Sequence, residues 1–123
     1  MGSFWLTAGA ISALLSVAAG AFGAHALKKT LSLDHLAAFE TAARYQMYHA
    51  LALIAVAWVA SQAASRLANA AGWCFLSGTV LFSGSLYLLT LAGLRGAARI
   101  TPVGGVLFLV GWGLLAAAAS KMR

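Results

Sequence analysis

The side chains of this chain that could do chemistry are few, and five of them fall in two short segments. His25 closes the first apolar segment, and Glu40, Arg44, Tyr45 and His49 stand at the start of the second. Imidazole, carboxylate, guanidinium and phenol groups together can bind a small molecule or an ion, or carry a proton. We therefore take these five residues as a candidate ligand-binding pocket.

Helical geometry divides the four residues of the second segment. At about 100° per residue, Glu40 and Arg44 share one face of a helix, while Tyr45 and His49 lie on the opposite face. Glu40 also precedes Arg44 by four residues, the favourable order for an intrahelical ion pair. A helix entering a bundle could turn His49 inward, and His25 is expected at a similar depth. The sequence leaves open whether His49 is a working ligand or a structural histidine with satisfied nitrogens.

Other catalytic patterns are missing from the sequence. It contains no nucleophile elbow, phosphate-binding loop or zinc motif, and Asp34 and Glu40 are its only acids. Cys74 is the single cysteine, which excludes an intrachain disulfide. A haem held by His25 and His49 is disfavoured, because nothing else in the sequence selects one. We predict no catalytic residue, metal or cofactor, and the sequence favours a protein that is not an enzyme.

The composition favours a protein that lives in a membrane. Of the 123 residues, 63% are hydrophobic and 8% are charged, whereas soluble domains carry about 25% charged residues. The net charge of +6 comes from basic residues scattered in ones and twos, not from a basic stripe, so nucleic acid is not an expected partner. Basic residues beside apolar segments are typical of a chain that crosses a bilayer.

Four apolar segments are long enough to cross a bilayer as helices. We predict spans over about residues 4–27, 48–64, 68–94 and 100–120, with a helical lead-in to the second from residue 33. Such a crossing needs about 20 apolar residues. The short connections 65–67 and 95–99 would force neighbouring helices to run in opposite directions. The sequence therefore predicts one all-α domain over 1–123, an integral membrane antiparallel four-helix bundle with up-down-up-down topology.

Small residues recur at intervals that would let these helices approach closely. In lipid, association depends on such close packing, because the surrounding tails are as apolar as leucine. The intervals of three, four and seven residues favour packing at shallow crossing angles. A role as hinges or pore lining is the less favoured interpretation. The residues predicted to pack helices together are Gly9, Ala13, Gly20, Gly23, Gly84, Gly104 and Gly111.

Several segments resemble a known family. The specific ones are residues 20–27, Gly-Ala-Phe-Gly-Ala-His-Ala-Leu, and residues 39–53, and residues 82–87 and 100–105 fit later parts of the same pattern. The chain resembles the domain-of-unknown-function family 423 of small bacterial inner-membrane proteins over nearly its whole length. The resemblance implies a four-span fold in that membrane with no settled biochemical role. It marks five signature positions without assigning them chemistry: His25, Glu40, Arg44, Tyr45 and His49.

Two classes of function are favoured by these features. The first is binding or transport of a small molecule, ion or lipid through a polar pocket between spans one and two. The alternative is a structural or accessory subunit of a larger membrane complex without chemistry of its own, because four spans in 123 residues leave almost no extramembrane domain. The expected partners are the lipid bilayer, a small-molecule or lipid ligand, and further copies of the chain or a larger membrane complex.

Overall fold

The computed structural model describes residues 2–62 and 65–122, and within these ranges the chain is helical with short turns and no β-strand. The predicted all-α class is therefore confirmed. Two 3₁₀ turns, Leu27–Lys29 and Arg95–Arg99, lie in the connections. The four α-helices are α1 (Gly2–His25), α2 (Leu33–Gln62), α3 (Ser65–Ala92) and α4 (Thr101–Ala119).

Three apolar stretches among the described residues are long enough to cross a membrane: Gly2–Gly23, Ser65–Ala92 and Arg95–Ala119. Helix α2 is the longest of the four, with 30 residues. Its composition sets it apart, because polar side chains such as Gln46, His49 and Gln62 interrupt its apolar stretch. By length and composition three of the helices are thus suited to cross a membrane, and the predicted second span, 48–64, is not among them.

The connections differ in part from the prediction. Ser65–Leu67, expected to join spans two and three, forms the first turn of α3, and residues 63–64 at the predicted end of span two lie outside the described residues. Gly93 ends α3 with a φ of +70°, a conformation that glycine adopts without a Cβ clash. The following N–H, of Leu94, donates to the carbonyl of Leu88 at 3.3 Å. Pro102 stands in the first turn of α4, where its missing N–H costs no helical hydrogen bond.

Two of the predicted small residues bring α1 close to α2. A Cβ on Gly9 would lie 2.7 Å from the carbonyl oxygen of Ala50, and one on Gly23 would lie 2.6 Å from the ring of Phe39. Both distances are shorter than real Cβ contacts, so any larger residue would force its neighbour to move. Residue numbers along α2 therefore fall as those along α1 rise. The other residue predicted on this helix for packing, Ala13, is half-buried.

The remaining predicted glycines behave in two ways. Gly104 and Gly111 of α4 lie directly against α3, where an added Cβ would meet the backbone of Phe82 and the ring of Phe75. Among the described residues, nothing outside their own stretch of helix lies within 4 Å of the position that a Cβ would take on Gly20 or Gly84. The prediction that these two pack helices together within the chain is therefore wrong. Their small size has no intrachain explanation.

In the core, aromatic side chains of α1 and α4 contact helices that are not next to them in the chain. Trp5 of α1 is fully buried against α3, over Gly72, and its indole N–H donates to Asn69 Oδ1 at 2.8 Å. From the other side Phe108 of α4 reaches α2, packs over Gly78 and is 4% exposed. Helices α2 and α3 thus form the centre of the molecule, and each is covered by contacts from both α1 and α4.

Candidate functional site

Helix α2 turns its polar residues to two different sides, as its periodicity predicts. Tyr45 and His49 face α3 and α4, whereas Glu40 and Arg44 line a groove against α1. Ala42 and Ala43, between the two groups, are buried, and their carbonyl oxygens accept hydrogen bonds from α3 and from α1, respectively. The candidate residues of α2 therefore belong to two separate surfaces.

His49 is held by partners on both ring nitrogens. Its Nδ1 lies 2.7 Å from the carbonyl oxygen of Tyr45, and its Nε2 lies 3.1 Å from Nε1 of Trp112. An indole nitrogen only donates, so Nε2 accepts, and Nδ1 must carry the hydrogen that is donated to Tyr45. The ring is stacked on Phe108 with centroids 3.5 Å apart and an angle of 4°, and it is 4% exposed.

This arrangement bears on the two interpretations of His49 that the sequence left open. A ligand, metal or proton would need a free ring nitrogen, and both are occupied in the neutral tautomer. Protonation of Nε2 would place its new N–H against the N–H of Trp112, donor against donor. The geometry therefore favours a structural histidine. Among the described residues no group of three or more His, Cys, Asp or Glu side chains comes together.

A cleft of about 320 Å³ opens beside His49, between α2, α3 and α4. Its walls are mainly aromatic and apolar. At its outer edge Leu109 is 74% exposed and Tyr48 49% exposed, so the cleft opens sideways from the helices. Within the described part of the chain, the hydroxyl groups of Tyr45 and Tyr48 make no hydrogen bond. The residues that line the cleft are Tyr45, Tyr48, His49, Phe82, Gly105, Phe108, Leu109 and Trp112.

Glu40 and Arg44 line an open groove of about 370 Å³ on the opposite side of α2. Its α1 wall is formed by Ser16, Val17 and Gly20. Both charged side chains are exposed, and the described residues form no ion pair within 4.0 Å. The predicted Glu40–Arg44 ion pair is therefore not formed in this structure.

His25 does not meet His49. His25 is the exposed last residue of α1, beyond the contact between Gly23 and Phe39. His49 follows Phe39 by ten residues, about 15 Å along the helix, and faces α4 instead of α1. The expectation that the two histidines lie opposite each other at one depth is wrong. The five residues do not form one polar pocket between α1 and α2.

Gln46 is a central polar residue that the sequence analysis did not select. It is 7% exposed, its Nε2 donates to the carbonyl oxygen of Ser12 at 3.1 Å, and its Oε1 accepts a hydrogen bond from the Tyr87 hydroxyl at 2.6 Å. It therefore joins α1, α2 and α3. The sequence holds one signal for this role of Gln46: an amide side chain in an apolar helix must find hydrogen-bond partners, because unsatisfied polar groups are costly in lipid.

Two serines also bind α2 from either side. Ser16 of α1 donates to the carbonyl oxygen of Ala43 at 2.6 Å, and Ser83 of α3 donates to that of Ala42 at 2.7 Å. Hydrogen bonds of this kind between helices are a characteristic means of association in membranes. They position α2 between its neighbours, with one face toward each surface described above.

Apolar helices, close contacts at glycines and serine hydrogen bonds between helices define a small helical membrane protein. The chain belongs to the family described as "Protein of unknown function (DUF423)", whose model matches residues 19–105. No solved structure matches it.

Bacterial relatives extend the similarity over nearly the whole chain. The UPF0382 inner membrane protein YgdD of Escherichia coli K12 is 46% identical over 123 residues, covering 98% of this chain and 92% of that one. The UPF0382 membrane protein YwdK of Bacillus subtilis is 44% identical over 114 residues, covering 92% and 93%. These relatives and the apolar helices confirm the predicted location in a bacterial cell membrane.

Proposed function

We propose that the chain crosses the membrane four times, with neighbouring helices antiparallel. Helix α2 is 30 residues long, about 45 Å, which exceeds the thickness of the hydrocarbon layer. Its contacts pair it in opposite residue order with α1 on one side and with α3 on the other, where the ring contacts run from Phe39–Tyr87 to His49–Phe75. Because α1 and α3, which flank α2, are both apolar spans, α2 must lie at the same depth in the membrane as they do.

Within this arrangement the protein binds a small lipophilic molecule in the aromatic cleft between α2, α3 and α4. The cleft itself is the observation that carries the proposal. Its volume of about 320 Å³ lies at the lower end of small-molecule sites, and its walls are apolar with few polar groups, as such sites are. Its opening beside Leu109 faces the lipid, which gives a lipophilic molecule a route of entry.

The aromatic walls favour a ligand that itself contains a ring. Phe82, Phe108 and Trp112 offer faces and edges for offset or edge-to-face contact, which adds to the burial of apolar area. The hydroxyl groups of Tyr45 and Tyr48 are available to a carbonyl or hydroxyl group on the ligand. Because His49 is satisfied by its neighbours, this function is binding and includes no step of proton transfer or covalent chemistry.

Photolabelling tests this proposal with a defined probe, 3-trifluoromethyl-3-phenyldiazirine, which is small, aromatic and lipophilic. In membranes that contain the protein, labelling should saturate with probe concentration and map to the segments around Tyr45 and Phe108. A Gly105→Leu variant should lose the saturable labelling, because its side chain would project into the cleft. The nearest atom to a Cβ at Gly105 is 3.9 Å away, so the backbone tolerates a side chain there.

Gly113→Leu is the matched control. It lies on the same helix, has nothing within 4 Å of an added Cβ, and is not among the residues that line the cleft. It should label as the unaltered protein does. Labelling that never saturates, or that Gly105→Leu and Gly113→Leu leave equally intact, would contradict the proposal.

A role as an accessory subunit is the second candidate, and the exposed groove at Glu40 and Arg44 favours it. Charged side chains on a membrane helix call for a partner. Gentle extraction followed by mass spectrometry of the intact assembly would test this role. Recovery of the monomer alone would count against it.

A further inference from the structure

Two charged side chains lie exposed on α2 at the depth of an apolar span. Arg44 and Glu40 line the groove with Ser16 and Gly20 of α1, and Ser16 is hydrogen-bonded to Ala43 beside Arg44. These contacts fix the depth of the two charges against α1. The apolar stretch of α1 is Gly2–Gly23.

The arginine lies near the middle of that stretch. Ser16 is three to four residues from its centre, about 5 Å along the helix. The headgroups begin about 15 Å from the centre of the bilayer. An extended arginine side chain reaches roughly half that distance, so the guanidinium of Arg44 falls short of the headgroups. A single molecule in lipid would therefore leave a charge in the hydrocarbon layer without a partner.

Covering this groove requires a partner that carries an opposite charge for each of the two residues. Glu40 and Arg44 stand one helical turn apart, so the surface carries one acid and one base side by side. Such a surface can pair with a second copy of itself, because the acid of each copy comes within reach of the base of the other. We propose that the α1–α2 groove is the interface of a homodimer, with two reciprocal Glu40–Arg44 ion pairs between the copies.

The symmetry axis of this dimer runs along the membrane normal. An axis in the membrane plane that paired Glu40 with Arg44 would pass near residue 42, about 8 Å from the centre of the bilayer. The two copies would then be offset along the membrane normal by about twice that distance, roughly half the thickness of the hydrocarbon layer, so both could not span it. With the axis along the normal, both copies span the same layer, and each Glu40 lies one turn from the Arg44 of the other.

The small size of Gly20 also supports an interface at this groove. It lies on the wall of the groove, and apart from its own stretch of helix no atom of the described residues lies within 4 Å of the position of a Cβ. The neighbouring glycines 9 and 23 are explained by contact with α2, whereas Gly20 is not. A helix of a second copy that approached the groove would give Gly20 a close backbone contact. This proposal is independent of the aromatic cleft, which lies on the other side of α2.

Cross-linking in native membranes tests the interface. In a Cys74→Ser background, Val17→Cys places a thiol in the groove, and a short bis-maleimide should give a covalent dimer. Val106→Cys on α4 is the matched control, since Val17 is 61% exposed and Val106 59% exposed, and Val106 lies outside the groove. We expect dimer from Val17→Cys and none from Val106→Cys.

Charge variants then show whether the ion pairs run between copies. In the Val17→Cys background, Arg44→Glu makes both charged residues of the groove acidic, and Glu40→Arg makes both basic. The amount of cross-linked dimer should therefore fall about tenfold in each variant, which corresponds to about 1.4 kcal/mol. When the two variants are expressed together, a heterodimer should restore cross-linking. An ion pair within one chain could not be restored in this way.

Several results would overturn the homodimer. Equal cross-linking at Val17→Cys and Val106→Cys would place no interface at the groove, and a cross-link to a different protein would assign the groove to that partner. If the charge-reversed variants do not insert into the membrane, Glu40→Gln and Arg44→Gln are used instead. Undiminished cross-linked dimer in both of these variants would refute the ion pairs. Bound anionic phospholipid that Arg44→Gln removes from a monomer, seen by native mass spectrometry, would assign the charge to lipid.

Discussion

The close contact between α3 and α4 at Gly104 permits a quantitative prediction. A Cβ on Gly104 would lie 2.7 Å from the Cβ of Phe82 and 2.8 Å from its Cα, and it would press on the backbone nitrogen as well. These atoms belong to the backbone of a packed helix and cannot rotate away. The adjacent Gly105 differs, because its Cβ would make an ordinary contact of 3.9 Å with the ring of Phe82.

This difference sets the expected size of the effect. Both Gly104→Ala and Gly105→Ala gain helix propensity of up to about 1 kcal/mol, so that term cancels between them. Overpacking in a close-packed core costs about 1–3 kcal/mol, and only Gly104→Ala incurs it. We therefore expect the free energy of unfolding of Gly104→Ala to be lower than that of Gly105→Ala by about 1–3 kcal/mol.

Equilibrium unfolding in mixed micelles measures this difference. Sodium dodecyl sulfate is titrated into protein in a mild detergent, and tryptophan fluorescence reports loss of tertiary contact. The midpoint of Gly104→Ala should fall at a lower dodecyl sulfate fraction than that of Gly105→Ala. Equal midpoints, or a more stable Gly104→Ala, would show that the two helices do not meet at Phe82 in the way described.

Two further predictions concern hydrogen bonds around α2. Trp112→Phe removes the donor to His49 Nε2 and should lower the free energy of unfolding by about 1 kcal/mol more than the control Trp58→Phe, whose side chain is 59% exposed. Equal thermal midpoints of the two variants would argue against this hydrogen bond. A double-mutant cycle of Gln46→Leu and Tyr87→Phe should give a coupling energy of about 0.6–1.7 kcal/mol from unfolding midpoints, and strictly additive effects would contradict that contact.

The general character of the protein could be predicted because it depends on local sequence. An apolar stretch of membrane length must be helical, since lipid offers no partner for backbone groups, and this fixes α1, α3 and α4 within a few residues. The opposite placement of Glu40 and His49 follows from the pitch of one helix. Residue type and spacing along a single element were enough for each of these features.

The relations between helices could not be predicted in the same way. In a soluble bundle the apolar face of a helix identifies its buried side, but in lipid every face is apolar, so composition does not reveal which neighbour each face meets. For this reason His25 and His49 were expected to meet, although His49 turns to Trp112 of α4. The same limit hid the contacts of Gln46 on α1 and α3.

The sequence by itself thus determined the membrane class, the helical segments and the two polar faces of α2. The tertiary structure decided which glycines are contacts, with Gly104 against Phe82 and Gly20 in open space. It also separated the five signature residues into an aromatic cleft, a charged groove and an exposed helix end. The physical reason is that periodicity assigns a residue to a face of its helix, whereas the packing of neighbouring helices determines what that face contacts.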